Sequence, residues 1–384
     1  LEETLRIAVV GGGPGGLYFA YLWKRRHPDA QIDLFEQNPA DITWGFGVVF
    51  SDQALEFLRT DDPDTVDAIA PHMESWENIT LNLRGESVAI DGVGFSSIGR
   101  LELLKLLQER TRAVGVTPQY DCLIPSLDRL NGYDLIVAAD GLNSLVRRSF
   151  EGDFGTSLRY SSNKFVWYGT SKRFETLSQT FVKTDRGAFN AHHYRYSPTM
   201  STFLVECDHA TWQAYGFAYK DAEQSKGICE EIFADTLGGR PLISNKSVWR
   251  NFPWIWNEHW WFKNMVLIGD ALHTAHFSIG SGTRLAIEDA IALMKALESD
   301  AHVSTALARY QAERKPIVKK LVEAARTSAG WYEQFVGHMN LDLMDFAYSY
   351  ITRSGRIDDA RLRTMSPAFM ARYEAAKQSG GGPS

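Results

Sequence analysis

The feature that most constrains this chain lies in its first 36 residues. An apolar run from Leu5 to Val10 leads into Gly11-Gly12-Gly13-Pro14-Gly15-Gly16. Leu17 to Lys24 then reads as a helix, and Gln31 to Glu36 as a second strand. Strand, glycine turn, helix and strand within about 30 residues make a βαβ unit, which commits the chain to a parallel sheet with helices packed on it. Gly11, Gly13 and Gly16 spell GxGxxG at the strand-to-helix turn, with Pro14 and Gly15 between the last two. Glycines there permit the tight turn and a close approach of backbone to a pyrophosphate, whose charge the helix N-terminus stabilises. Glu36, followed by Gln37, ends the second strand 20 residues after Gly16, where a carboxylate accepts hydrogen bonds from ribose hydroxyls. This fingerprint fits NAD and FAD alike.

Further along, Arg100 to Val114 has a leucine-rich helical face, Asp134 to Ala139 is a buried strand, and Ser144 to Phe150 a short helix. Between about 160 and 260 the pattern changes. Val166-Trp167-Tyr168, Thr180-Phe181-Val182 and Thr202 to Val205 are β-rich and aromatic, and Asp185-Arg186-Gly187 is a turn. Met265 to Ile268 returns to a buried α/β strand. Leu285 to Leu297, Val303 to Arg326 and roughly Gly330 to Tyr350 read as helices. The basic residues of the second of these, Arg309, Arg314, Lys315, Lys319 and Lys320, read as a solvated face.

Composition narrows the function. Hydrophobic residues make up 44% and charged residues 23%, as in globular chains, and the net charge of −7 disfavours nucleic acid and anionic membranes as partners. No apolar run reaches the ~18–20 residues of a membrane helix, and the first residues lack a signal-peptide pattern. Three scattered cysteines, Cys122, Cys207 and Cys229, suit neither a disulfide framework nor a zinc site. A reduced, cytoplasmic compartment and a monomer or homodimer are expected. His273 and His276 are spaced HxxH without a companion ligand set, so no metal is expected.

Two more motifs carry chemistry. Asp140-Gly141-Leu142-Asn143-Ser144-Leu145-Val146-Arg147 follows one buried strand. Gly269-Asp270-Ala271-Leu272-His273 follows another and continues through Gly280-Ser281-Gly282-Thr283 into a helix. A carboxylate at a strand's end beside a glycine reaches sugar or ribitol hydroxyls, and Gly280 and Gly282 before a helix make a second anion-binding N-terminus.

In this order, the three motifs resemble the class A FAD-dependent aromatic monooxygenases, with the para-hydroxybenzoate hydroxylase fold, over about residues 5–300. The resemblance implies that Gly11, Gly13, Gly16 and Glu36 meet the ADP half of FAD. It places Asp140 and Arg147 in an element serving FAD and the nicotinamide cofactor, Asp270 at the ribitol, and Arg100 near the pyrophosphate. Two departures stand out: Phe277 occupies a common proline position, and Gln37-Asn38 stand where an Arg is frequent. The stretches Asn163 to Thr170, Tyr194 to Phe203, His276 to Gly282 and Ile351 to Ile357 are similar to the branch containing salicylyl-CoA 5-hydroxylase and 2-aminobenzoyl-CoA monooxygenase. Trp254-Ile255-Trp256 partly matches a flavin-halogenase signature, but Asn257-Glu258-His259 does not continue it.

The fold class implied is α/β: an FAD-binding Rossmann-like domain with an inserted antiparallel β-sheet substrate layer and a helical C-terminus. FAD-binding segments are expected at 1–75, 96–160 and 262–327, the β-rich substrate domain at 76–95 and 161–261, a helical segment at 328–376, and a flexible tail at 377–384. The resemblance implies reduction of FAD by NADH or NADPH, with O2 as co-substrate, and hydroxylation through a flavin C4a-hydroperoxide. The substrate implied is an aryl-CoA thioester, salicylyl-CoA ahead of 2-aminobenzoyl-CoA, hydroxylated at position 5, para to an ortho hydroxyl or amino group. A free aromatic acid or a tryptophan-like metabolite is the alternative, and a flavin reductase or carrier without hydroxylation is the rival of another class. His193, Tyr194 and Tyr196 are the expected substrate-contacting residues, in a pocket with Trp167, Tyr168, Met200 and Phe277. Lys164, Lys172, Arg173, Lys183, Arg186 and Arg195 form the expected basic patch for the CoA phosphates.

Overall fold

A computed structural model of the chain describes residues 5–51 and 56–380. Its first sheet has the strand order Trp261–Phe262, Met265–Leu267, Leu135–Ala138, Arg6–Val10, Gln31–Phe35. The last four of these are mutually parallel, and the Trp261–Phe262 edge is antiparallel to its neighbour. The central strands are buried on both faces, which explains why Arg6–Val10 and Leu135–Ala138 read as continuous apolar runs rather than alternating ones. Helix Pro14–Arg26 begins at the glycine turn, with Pro14 in the first turn where a missing N–H costs nothing. It packs against helices Arg100–Ala113 and Gly282–Ser299.

A second sheet of eight strands is built on the 15-residue strand Thr156–Thr170. Along its main path run Leu242–Ser244, Thr156–Thr170, Ser201–Cys207, Gly187–Arg195, Leu177–Thr184, Ile79–Leu83 and Glu86–Ile90, and Arg250–Asn257 also pairs with Thr156–Thr170. The sheet is mixed where an antiparallel one was expected, because Leu177–Thr184 runs parallel to Ile79–Leu83. Ile79–Leu83 reaches the sheet from nearly a hundred residues upstream, so no hairpin turn dictates its direction. A three-stranded sheet of Gly47–Ser51, Phe95–Gly99 and Glu74–Trp76 sits beside these two.

Each face of the large sheet has its own core. One face packs Phe174, Phe189, Phe203 and Phe233 with Cys229 beneath the helices His209–Ala214 and Ala222–Ile232. At one end of the other face, Leu81, Phe181 and Tyr194 pack with Trp331, Tyr332, Phe346 and Tyr350 of the C-terminal helices. The C-terminal helical region departs from expectation in three places. Helix Val303–Glu333 runs a further two turns past Arg326. The next long helix does not start until Leu343, because Asp342 caps it by accepting from the backbone N–H groups of Met344 and Asp345. Helix Pro367–Gly380 continues into the stretch expected to be flexible, where Lys377 Nζ meets Asp345 Oδ2 at 2.6 Å. The rest of that tail, 381–384, lies outside the described residues, as do 1–4. No helix among the described residues is long and apolar enough to cross a membrane.

Candidate functional site

The carboxyl ends of the parallel strands, the face of the large sheet and the C-terminal helices enclose a cavity of about 340 Å³. In doubly wound folds ligands bind at this edge, where successive strand-to-helix loops diverge. Three loops supply one wall: Gly13-Pro14-Gly15, Ala139 with Gly141-Leu142, and Ile268 to Asp270 with the 274–283 segment.

The glycine loop is fixed by close contacts. Gly11 has φ +108°, and a Cβ there would collide with the carbonyl of Ala139. A Cβ on Gly16 would strike the carbonyl of Gly11, so neither position tolerates a side chain. At Gly13, by contrast, a Cβ would meet nothing within 4 Å, so the backbone there lies open to a ligand. Glu36 accepts from Gly12 N at 2.7 Å through Oε2 and from Asn38 N at 2.8 Å through Oε1. With Asn38 Nδ2 also donating to Oε1, the carboxylate orders the loop and keeps one lone pair, on Oε2, for a ribose hydroxyl. Asn38, at the departure from the family pattern, serves as a brace for Glu36, and Gln37 is exposed.

Two helix N-termini open on the cavity. Neither Pro14–Arg26 nor Gly282–Ser299 has a side-chain cap or an acidic residue in its first turn. Their leading N–H groups and positive dipole ends are thus left for an anionic or electron-rich ligand. Gly280, at φ +60°, turns the chain into the second helix, and Gly282 and Thr283 line the cavity.

Asp270 follows the Met265–Leu267 strand, surrounded by protein but with its side chain exposed to the cavity. Burial raises its carboxyl pKa, against the pull of Arg100, His273 and Arg147. Asp140 accepts from Leu145 N at 2.7 Å through Oδ2, while Oδ1 is buried without a protein partner. Arg100 donates from Nε to Thr43 Oγ1 at 3.1 Å, and burial lowers its guanidinium pKa despite Asp270. It lines the cavity and also a broader outer one of about 810 Å³. Behind this wall Asp289, fully buried, accepts from Gly269 N (3.1 Å), His273 Nε2 (2.9 Å) and Arg314 Nε (3.0 Å). Burial alone would raise its pKa, but His273 and Arg314 hold it below the usual carboxylate range. Arg314 is thus an internal anchor of the Asp270 loop, not part of a solvated face. His273 and His276 have separate partners, Asp289 and the backbone N–H of Ser278.

The opposite wall is the large sheet. Phe165 and Trp167, Leu177 and Gln179, His192 and Tyr194 face the cavity in pairs two residues apart, as strand alternation requires. The same alternation turns His193 and Tyr168 away. His193 Nε2 shares a hydrogen bond with Thr180 Oγ1 at 2.8 Å and stacks on Phe203 in the other core. Tyr168 is buried in that core as well. Phe277 lines the cavity, with its ring 5.0 Å from that of Phe165. Tyr194 donates to the carbonyl of Gly47 at 3.0 Å, and its phenol is pushed up by burial. Tyr196 lines the outer cavity instead, and the carbonyl of Met200 closes the turn after Tyr196 without Met200 lining either space.

Residues not singled out in the sequence complete this wall. His192 Nε2 lies 3.2 Å from Glu206 Oε2, and Gln179 Nε2 lies 3.0 Å from His192 Nδ1. Glu206 also accepts from Asn163 Nδ2 at 2.9 Å. Burial, with the Arg353 charge, lowers the His192 pKa to about 3, so its imidazole is neutral near pH 7. The available signal was the period of two: His193 cannot share a face with Tyr194, whereas His192 does.

None of the six residues of the expected basic patch lines either cavity. Arg195 is half of an ion pair with Glu74 at 2.6 Å, Arg173 and Arg186 lie beside Glu175 and Asp185, and Lys164 donates to Asn251.

Comparison with known proteins agrees with this geometry. Residues 132–325 match the FAD binding domain family. The chain is 39% identical over 383 residues to a salicyloyl-CoA 5-hydroxylase of Streptomyces sp, covering 96% of this chain and 73% of that protein. It is 36% identical over 360 residues to a 3-hydroxy-4-methyl-anthranilyl-[aryl-carrier protein] 5-monooxygenase of Streptosporangium sibiricum, covering 94% and 97% of the two chains. PqsL of Pseudomonas aeruginosa, solved with 2-aminobenzoylacetate, shares the fold with a TM-score of 0.69 at 20% identity, over 91% of this chain and 100% of that one. The chain therefore belongs to the FAD binding domain family and, with the salicyloyl-CoA 5-hydroxylase and the carrier-protein 5-monooxygenase, to the flavin-dependent aromatic monooxygenases.

Proposed function

We propose that this enzyme hydroxylates the ring of an aromatic acyl thioester, with salicylyl-CoA as substrate and position 5 as the site of attack. The observation that carries this reading is a cavity with one wall made of the three motif loops and the other of an aromatic sheet face. Its volume of about 340 Å³ suits one substituted ring beside a cofactor edge.

Gly11, Gly13, Gly15, Gly16 and Glu36 are the proposed ligands of the ADP half of FAD. Asp270 is assigned to the ribitol, Arg100 and Asp140 to the central part of the cofactor, and Gly280, Gly282 and Thr283 to the flavin ring. FAD, reduced by NAD(P)H in the presence of O2, supplies the electrophilic oxygen. The protein's part is to hold the ring against the flavin edge, keep water out and keep the polar wall groups in fixed protonation states. Trp167, Tyr194 and Phe277 form the proposed aromatic enclosure, with Tyr350 and Arg353 of the C-terminal segment closing its end. The acyl chain beyond the thioester is assigned to the outer cavity, which Arg100 and Tyr196 border and where Lys246 lies over the Trp44 ring at 3.9 Å. That rim replaces the expected basic patch, which borders neither cavity, as the proposed contact for the anionic part of the substrate.

A second reading takes the same ring on an aryl-carrier protein. It is favoured by the match to the S. sibiricum relative over 97% of that protein's length. Three free cysteines and no membrane-spanning helix among the described residues suit a cytoplasmic location. The test is a comparison of kcat/KM for salicylyl-CoA, the carrier-bound acyl group and free salicylate, with product counted against NAD(P)H consumed. Salicylyl-CoA should lead with near-stoichiometric product. Free salicylate turned over as efficiently as both thioesters would contradict the thioester assignment.

A further inference from the structure

Gln179, His192 and Glu206 come from three adjacent strands of the large sheet, Leu177–Thr184, Gly187–Arg195 and Ser201–Cys207. All three are buried, at 3%, 6% and 1% exposure. Their hydrogen bonds form one directed chain. Glu206 receives Asn163 Nδ2 on one oxygen and faces His192 Nε2 with the other; burial raises its carboxyl pKa, against the pull of His276 and Asn163, and in its ionised form it accepts on both sides. His192 Nε2 is then the protonated nitrogen, and Nδ1 is left as an acceptor. Gln179 must answer with its amide N–H, at 3.0 Å. The carboxylate thus sets the imidazole tautomer, and the tautomer sets which way the Gln179 amide is turned.

The outcome is an amide oxygen with nothing to accept. Gln179 lines the cavity, and its Oε1 is buried without a partner. Two other described cavity-lining residues hold unpartnered buried polar atoms, Trp167 Nε1 and Arg353 Nε, and both of these are donors. Gln179 Oε1 is therefore the buried side-chain acceptor left unmatched on the sheet wall among the described residues. A buried acceptor left unpaired is costly, and a ligand that supplies a donor removes the cost while one that lacks it does not.

We propose that Gln179 is a specificity-determining residue, whose Oε1 accepts a hydrogen bond from a hydroxyl or amino group on the substrate ring, and that His192 and Glu206 are positioning residues that hold its amide in this orientation. The assignment rests on the ring-hydroxylase reading above and adds to it the residue that tells a donor-bearing ring from a bare one.

The test is calorimetric binding to the FAD-loaded protein of salicylyl-CoA, benzoyl-CoA and 2-methoxybenzoyl-CoA, and of the three corresponding free acids. The first of each set has a ring donor, the second has none, and the third keeps an oxygen but has lost its proton. Salicylyl-CoA should bind about ten-fold tighter than the other two, which should be alike. In Gln179→Met, which keeps the length of the side chain and removes the amide, the preference should fall to near unity while the flavin spectrum is unchanged. The methoxy comparison needs no substitution and decides the matter if the variant does not fold. Tight binding of the methoxy ester, or an undiminished preference in a folded Gln179→Met protein, would overturn the acceptor role and leave the thioester reading standing. Discrimination among the free acids with no binding of the thioesters would do the reverse. Binding by neither set overturns both.

Discussion

Asp270 sits at the end of a strand with its carboxylate open to the cavity and Arg100 within electrostatic reach. A carboxylate in that setting has much to gain from hydroxyl donors, so Asp270→Ala should cost about 1.5–3 kcal/mol of FAD binding, roughly a ten- to hundred-fold rise in dissociation constant. Fluorescence titration of FAD into the apoprotein measures it, and unchanged affinity would remove Asp270 from the site. His193, on the far face of the sheet, makes a prediction of another kind. Burial, then the neighbouring His192, lowers its pKa to about 3. Below the unfolded value near 6.5 the unfolded chain takes up a proton that the folded chain does not, so stability falls as pH drops through that window. Between pH 7 and pH 5 this one residue should remove about 2 kcal/mol. Urea unfolding of wild type and His193→Gln at both pH values isolates the contribution, since the other titrating groups are common to both proteins. An equal pH dependence in the two would show that His193 is not held neutral.

At the scale of elements, the large sheet keeps two faces apart. Phe203→Ala on the closed face should destabilise the fold by about 3–5 kcal/mol while leaving the FAD dissociation constant of the folded protein unchanged. Denaturation and titration of the same variant test the two halves of that statement. This separation of faces also explains what the sequence could and could not disclose. Gly11 to Gly16, Glu36, Asp140 and Asp270 lie at strand ends inside short contiguous motifs, so local turn chemistry was enough to propose them. The sheet wall of the cavity is assembled from strands that pair across long sequence distances, so its register is not written in any one segment. Strand alternation does exclude Trp167 and Tyr168, or His193 and Tyr194, from sharing a face. It does not say which of the two faces meets the cavity. Arg314 was hidden for a related reason: its partner Asp289 lies on another helix, 25 residues earlier, and no pattern within its own helix marks the pairing.

For the whole molecule, two layers enclose one space, and the C-terminal helices close its end through Tyr350 and Arg353. Arg353 donates to the carbonyl of Ser278 at 2.8 Å, tying that segment to the loop on the cofactor side. The outer cavity then remains as the wider approach, and its rim charge should affect capture of an anionic thioester rather than chemistry. Lys246→Glu should raise KM for salicylyl-CoA several-fold, more at low ionic strength, with kcat little changed. A fall in kcat with KM constant would place Lys246 in a different role.

The central claim is that the cavity brings an aromatic ring to a reduced flavin for insertion of one oxygen atom. The most direct measurement is a single incubation of the FAD-loaded protein with NAD(P)H, isotopically labelled O2 and salicylyl-CoA, followed by mass spectrometry of the acyl group. The account predicts one labelled oxygen on the ring for each NAD(P)H oxidised. NAD(P)H oxidation that ends wholly in hydrogen peroxide, with no labelled product from salicylyl-CoA, its amino analogue or the free acids, would contradict it.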